Sequence, residues 1–305
     1  MYFVTVNGKE HITAHDKTLI TFLRDELNLT GTKDAAGADW VLVDGVKTSA
    51  QSVRLRDLKD REVLTVEGIP QHEMLEIAAH LAAPAALSGG FFAPGMAIMA
   101  KEKNHWHENR PASREILDIV SGRKKFADDI NVPRQVYVRP IFAQNPGATV
   151  TGIDFSKALE NVRFGDCIQK ADIPGAFDGM IGVGDRVEST KQVVALVVTT
   201  YLAEMDVLCR LIEIEYDAVT ETPERGIPEM PECATALYSD DDTLTVYTNG
   251  RDANKIRSSC AAALNIPEDW ITVVATPVAG AKAGRAEVFA ALTAWLTQQS
   301  AKVKF

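Results

Sequence analysis

The sequence predicts an α+β chain of several domains. Three observations predict it. At 305 residues the chain exceeds one typical core. Its first 70 residues set strand patterns around a single helical one. Beyond a purely helical stretch, period-two and near-continuous apolar runs return and alternate with helices. A chain of this size buries roughly 75% of its unfolded surface and needs no covalent staples.

The elements follow in order. "MYFVTV" and "EHITA" alternate apolar and polar residues around Asn7-Gly8, a hairpin signal. "KTLITFLRDELNL" places Leu19, Ile20, Phe22, Leu23 and Leu27 at helical spacing, with Thr18 as the cap. "WVLVDG" reads as a buried strand ending in an Asp44-Gly45 turn, and "EVLTVEG" as another. Together they predict a β-grasp sheet over residues 1–70. "HEMLEIAAHLAA", "PGMAIMAKEKNHW" and "SREILDIVSG" predict three helices over 71–122, with Pro94 and Pro111 marking starts and Gly122 the end.

Strands resume after Asp128. "RQVYVRPIFA", "ATVTGIDF" and "RFGDCIQ" precede a Pro/Gly-rich stretch. The apolar run "QVVALVV", the helix "TYLAEMDVLCRL" and the strand "IEIEYDAV" predict a right-handed crossover within one mixed sheet, inside a domain over 123–220. "TETPERGIPEMPE" reads as a linker. A fourth domain, 221–305, carries strand 243–248, helix 252–264, strand 270–275, a Gly/Ala-rich loop over 276–285 and helix 286–298. The final "AKVKF" alternates like a strand. It is expected to be an unpaired edge, which a partner chain would have to cover.

Acidic residues outnumber basic ones 42 to 32, and the net charge of −10 argues against nucleic-acid or anionic-membrane surfaces. No apolar run approaches the roughly 18 residues of a spanning helix, and the N-terminus lacks a signal-peptide pattern, so the cytoplasm is the expected compartment. Cys167, Cys209, Cys233 and Cys260 are spread too widely for a C-x-x-C pair and read as buried or partly buried thiols. His105 and His107 are an H-x-H pair, read as a helix end, since alternate helical residues diverge by about 200°. Asp240, Asp241 and Asp242 read as a solvated turn, and Asp128-Asp129 as a turn or cap. "GVGDRVE" is too lax for a dinucleotide fingerprint.

Residues 1–122 resemble the [2Fe–2S] subunit of molybdenum hydroxylases, the xanthine dehydrogenase and aldehyde oxidoreductase family. The resemblance rests on "TVNGKE", "KTLITFLRDELNLTGTK", "VLVDG", "FFAPGMAIMAKEK" and "RPASREILDIVSG". "VSGRKKFADDI", "VTGIDFSKALENV" and "KQVVALVVTTYLAEMDVLCRLIEIEYDAV" resemble the α/β hammerhead of the molybdenum subunit, here 123–220. "MPECATALY", "LTVYTNG" and "RSSCAAALNIPEDWITVVATPV" resemble the start of its molybdopterin-binding region, read as a truncated fragment over 221–305.

The resemblance implies two clusters, each held by four thiolates. This sequence places Ala36, Asp39 and Gln51 at positions of the first cluster's ligands, Gly89 and Phe92 at positions of the second's, and lacks the closing C-R-C motif. Phe92 is expected to fill the emptied cavity, with Phe91 or Phe92 packed inside the helical domain as a plug. The family's glycine loop toward the pterin aligns with "AGAKAGR", leaving Gly280, Gly284 and Arg285 as residual cofactor-binding residues and Lys282 in an apolar place. The family's general-base glutamate lies beyond the aligned region.

These implications point to a non-catalytic structural or accessory subunit of a molybdenum-hydroxylase complex. The chain itself would hold no cofactor; molybdopterin, [2Fe–2S] and FAD would reside in partner large, iron–sulfur and flavin subunits, or the chain would self-associate. Two alternatives stay open. One is a subunit completing a molybdopterin site in an active xanthine-, aldehyde- or N-heterocycle-oxidising enzyme. The other is a free-standing small-ligand binding module.

Overall fold

The computed structural model describes residues 1–82, 90–103, 112–217, 233–250, 252–276 and 284–304. They form two compact units, Met1–Asp129 and Ile130–Thr276 with residues 284–304. The fold class is α+β.

In the first unit, strands β1 (Tyr2–Val6) and β2 (Lys9–Thr13) form the expected hairpin. Asn7 and Gly8 both take left-handed backbone, at φ 51° and 75°, the twist a two-residue turn needs. Asp44 and Gly45 repeat the device between β3 (Trp40–Val43) and β4 (Val46–Ser49). With β5 (Glu62–Leu64) the five strands run in the order β2-β1-β5-β3-β4, β5 lying parallel to β1. Leu19, Phe22 and Leu23, on the helical segment 19–26, pack against Val4, Val6, Val41, Val43 and Val63 of that sheet. Thr18 stands at the N-cap, but its hydroxyl meets that of Thr21 at 2.8 Å rather than a backbone amide.

Helices α1 (Gln71–His80), α2 (Ala93–Lys103) and α3 (Arg114–Val120) enclose a second core around Met74, Ile77, Ala97, Ile98 and Val120. Ser113 caps α3 by accepting the Ile116 amide at 3.3 Å. Gly122, at φ +72°, turns the chain where a Cβ would fall 2.7 Å from the Cα of Gly31. His105, His107 and Pro111 lie outside the described residues.

The second unit is built on a seven-stranded sheet in the order β13-β12-β11-β14-β6-β9-β8. Its strands are β6 (Val136–Phe142), β8 (Phe164–Gln169), β9 (Val193–Thr199), β11 (Cys233–Tyr238), β12 (Leu244–Thr248), β13 (Ile271–Ala275) and β14 (Ala301–Lys304). Helices α4 (Ala253–Leu264) and α5 (Ala286–Thr297) bury Ile256, Cys260, Phe289 and Leu292 against it. Residues 123–220 and 221–305, separate in the sequence reading, thus share one sheet.

Two expectations are overturned. The strand–helix–strand segment is not a crossover within one sheet, because β10 (Glu213–Tyr216) leaves that sheet and pairs with β7 (Val150–Asp154). Side-chain patterning explains the separation. Every residue of β9 is buried, as suits a strand covered on both faces, whereas β10 alternates exposed and half-buried positions. The final strand is not an unpaired edge either. β14 lies inside the sheet, antiparallel to β11 and parallel to β6, with Ala301 and Val303 fully buried.

Candidate functional site

The segment that aligns with the first cluster loop is closed by polar side chains of its own. The Asp39 carboxylate, 2% exposed, accepts the Ser49 hydroxyl and the Gln51 backbone amide, the latter at 3.4 Å. The Gln51 side-chain amide donates to Asp34 at 2.8 Å, and Ala36 is exposed with no donor atom to offer. Loop and strand end are therefore tied by carboxylate hydrogen bonds where the family has thiolates. This donor set does not fit an iron–sulfur cluster, which takes soft anionic sulfur.

Beside it lies a buried charge cluster that sequence reasoning missed. Arg24 Nη1 donates to the carbonyls of Thr30 (3.1 Å) and Thr32 (2.8 Å), and its Nη2 to Asp128 Oδ2 (2.9 Å) and Asp129 Oδ1 (3.0 Å). Lys33 is wholly buried, donates to the Thr30 carbonyl at 2.9 Å and to Asp129, and lies 4.9 Å from the Phe126 ring centroid. Burial pulls the Lys33 ammonium below the ordinary lysine range, against the attraction of Asp129. The two carboxylates hold the Arg24 guanidinium above its ordinary value despite its burial. Asp128-Asp129 does close a 3₁₀ turn, Ala127–Asp129. That turn also clamps the "GTK" loop to the segment after Gly122.

At the aligned second cluster position the plug expectation fails for Phe92. Phe92 is 41% exposed. Phe91 is half-buried and meets buried Phe126 edge to face at 5.4 Å. Proximity to the chain turn at Gly90 and the helix start at Ala93 leaves Phe92 on the outside. Gly89 lies outside the described residues.

Of the residual pterin loop, Gly280 and Lys282 lie outside the described residues, and Gly284 and Arg285 belong to the second unit. Gly284 N–H points to the Glu287 carboxylate at 3.3 Å. Glu287 is 4% exposed and also accepts the Thr248 hydroxyl at the end of β12. The start of α5, a place that attracts anions, thus already carries a buried carboxylate. Arg285 donates to the Lys191 carbonyl at 2.6 Å and lies 5.9 Å from the Phe142 ring centroid. Gly284 and Arg285 are thus each engaged within the fold as placed.

Elsewhere in this unit a cleft of about 640 Å³ is lined by Arg139, Phe142, Gln144, Cys209, Arg210 and Glu213, with Arg139 paired to Asp206. These residues span three elements, and no motif joins them in the sequence. Cys167 and Cys260 are buried, which pushes both thiols up to about 12, and Cys209 and Cys233 are half-buried. Among the described residues no three His, Cys, Asp or Glu side chains converge to hold a metal ion, and no helix is long and apolar enough to cross a membrane.

Residues 121–220 match the profile "Aldehyde oxidase and xanthine dehydrogenase, a/b hammerhead domain". Among solved structures, the chain is similar over its whole length to aldehyde oxidoreductase from Desulfovibrio gigas, at a TM-score of 0.79 and 18% identity. The aldehyde oxidoreductase from Desulfovibrio desulfuricans ATCC 27774 gives a TM-score of 0.79 at 15% identity. The chain spans 49% of the length of each of these two proteins. CO dehydrogenase from Oligotropha carboxidovorans aligns with 62% of this chain and 34% of its own, with a TM-score of 0.51 and 16% identity. Comparison with the curated proteins found no match.

Proposed function

From a chain that has the molybdenum-hydroxylase fold and carries the α/β hammerhead domain of the aldehyde oxidase and xanthine dehydrogenase family at residues 121–220, we propose a non-catalytic accessory role within a molybdenum-hydroxylase assembly. The observation that carries the reading is the loop built on Asp39. Five ligand positions that need thiolates hold Ala36, Asp39, Gln51, Gly89 and Phe92, and Asp39 and Gln51 are spent on hydrogen bonds within the fold. A thiolate loop converted into a carboxylate-tied loop keeps its scaffold and loses its redox group.

The Glu287 arrangement supports the same reading at the pterin side. In this role the fold supplies docking surfaces, while molybdopterin, [2Fe–2S] and FAD belong to large, iron–sulfur and flavin partner subunits, in the cytoplasm. The test is reconstitution from separately purified chains. A large molybdenum subunit should co-elute with this chain on sizing with light scattering, and substrate-dependent dye reduction should follow the partner's fractions. Dye reduction by the isolated chain, lost on stripping molybdopterin, would overturn the proposal in favour of a chain that completes a catalytic site.

A further inference from the structure

One end of the seven-stranded sheet carries an aromatic platform surrounded by carboxylates. The register aligns Tyr238 with Leu244 and Leu244 with Ile271, so the end of β11, the start of β12 and the start of β13 meet there. Trp270, 41% exposed, immediately precedes β13. Its ring lies 6.2 Å from that of Trp295 near the end of α5, and Trp295 lies 6.1 Å from Tyr238. Exposed Leu296 follows in the chain.

Five exposed carboxylates belong to the same sheet end: Asp240, Asp241 and Asp242 in the β11–β12 turn, and Glu268 and Asp269 in the turn before Trp270. Their hydrogen bonds are to neutral groups. Asp242 accepts the Tyr238 hydroxyl, Asp241 the Thr243 hydroxyl at 2.7 Å, and Glu268 the Ser258 hydroxyl at 2.7 Å. Among the described residues none of the five is in an ion pair, whereas Asp16, Asp44, Glu115 and Asp185 all are. The nearby cation, Arg257, is committed to the Ile271 carbonyl at 3.1 Å and to Asn254. The C-terminal end of α5 adds the negative end of a helix dipole beside the rings.

We propose that this surface docks a lysine- or arginine-bearing segment of a partner protein. The chemistry is complementary on both counts. Ring faces attract a cation, and unneutralised carboxylates around them strengthen that attraction and draw the segment in. Half-exposed Trp and Tyr side chains also make favourable anchors, because they bring large area at low entropic cost. The inference is independent of the cofactor question, since it uses none of the cluster or pterin positions.

The test uses the full chain and a fluorescein-labelled peptide of alternating lysine and glycine, with affinity read by anisotropy at low salt. Trp270→Ala, and separately the triple variant Asp240→Asn, Asp241→Asn, Asp242→Asn, should each weaken binding at least about fivefold. A control removing three charges elsewhere, Glu10→Gln with Asp57→Asn and Asp60→Asn, should leave affinity within about twofold. Parent-like binding by the first two variants would overturn the proposal. So would equal weakening by the control, which would indicate only a response to the overall acidic charge. Light scattering that shows Trp270→Ala dissociating a dimer would also overturn it, by making a second copy the occupant. Should Trp270→Ala fail to fold, the triple Asn variant decides.

Discussion

Replacing Asp129 by alanine is expected to be among the most damaging single changes in the first unit. The carboxylate is wholly buried and receives three donors: Arg24 Nη2 at 3.0 Å, the Lys33 ammonium, and the Phe126 amide at 3.0 Å. Its removal leaves the buried Lys33 cation facing the Thr30 carbonyl and a ring. Breaking a buried pair from one side costs about 3–5 kcal/mol, because the remaining charge stays desolvated. Against a typical domain stability of about 5–15 kcal/mol this is a large share. At about 4 °C per kcal/mol for a unit of this size, Tm falls by about 12–20 °C.

The loss should also depend on pH. Without Asp129 the Lys33 pKa in the folded state falls further below its unfolded value. The unfolded chain then binds more protons across that window, and stability rises with pH up to the ordinary lysine value. Adding Lys33→Met should restore much of the loss, since hydrocarbon replaces the orphaned charge. The assay is calorimetry of the full-length parent, Asp129→Ala and the double variant at two pH values. A single variant melting within about 2 °C of the parent, or a double variant worse than the single, would refute the reasoning.

Three further expectations follow from burial and charge. Phe92→Ala should change stability by less than about 0.5 kcal/mol, while Phe126→Ala costs about 3–5 kcal/mol, both read from denaturant midpoints; a larger loss at Phe92 would return it to the interior. Val303→Asp should abolish cooperative unfolding of the second unit by near-ultraviolet circular dichroism, because β14 lies between β11 and β6; a parent-like spectrum and melt would remove β14 from the sheet. Arg54 holds Asp16, Arg61 holds Asp44 and Lys170 holds Asp185 below the ordinary carboxylate value. The stability they contribute is present above that value and is lost as pH falls below about 4, so Tm that rises on acidification through this range would contradict the assignment.

Local chemistry made much of the fold legible. Asn-Gly and Asp-Gly dipeptides placed both turns of the β-grasp sheet, and the spacing of Leu19, Phe22 and Leu23 placed its helix. The misreadings of β10 and β14 share one cause, which is pairing between distant segments. Nothing near Ala301 indicates that its strand neighbours begin at Val136 and Cys233, so β14 reads as an edge. The buried charge cluster was hidden for the same reason, since Arg24 and Lys33 meet partners 104 and 96 residues away. The one local sign was charged Arg24 and Lys33 amid the apolar pattern "FLRDELNLTGTK". Phe92 was misplaced because apolarity predicts burial only on average, and its position one residue before α2 turns it outward.

The proposed role is that of a scaffold with the molybdenum-hydroxylase fold and no redox group of its own. The most direct measurement is anaerobic reconstitution of the full chain with iron and sulfide, followed by desalting, iron analysis and visible absorption. A colourless protein with iron far below stoichiometry is expected, because the positions at Ala36, Asp39, Gln51, Gly89 and Phe92 offer no thiolate. Stoichiometric iron with a [2Fe–2S] absorption spectrum that survives desalting would contradict it.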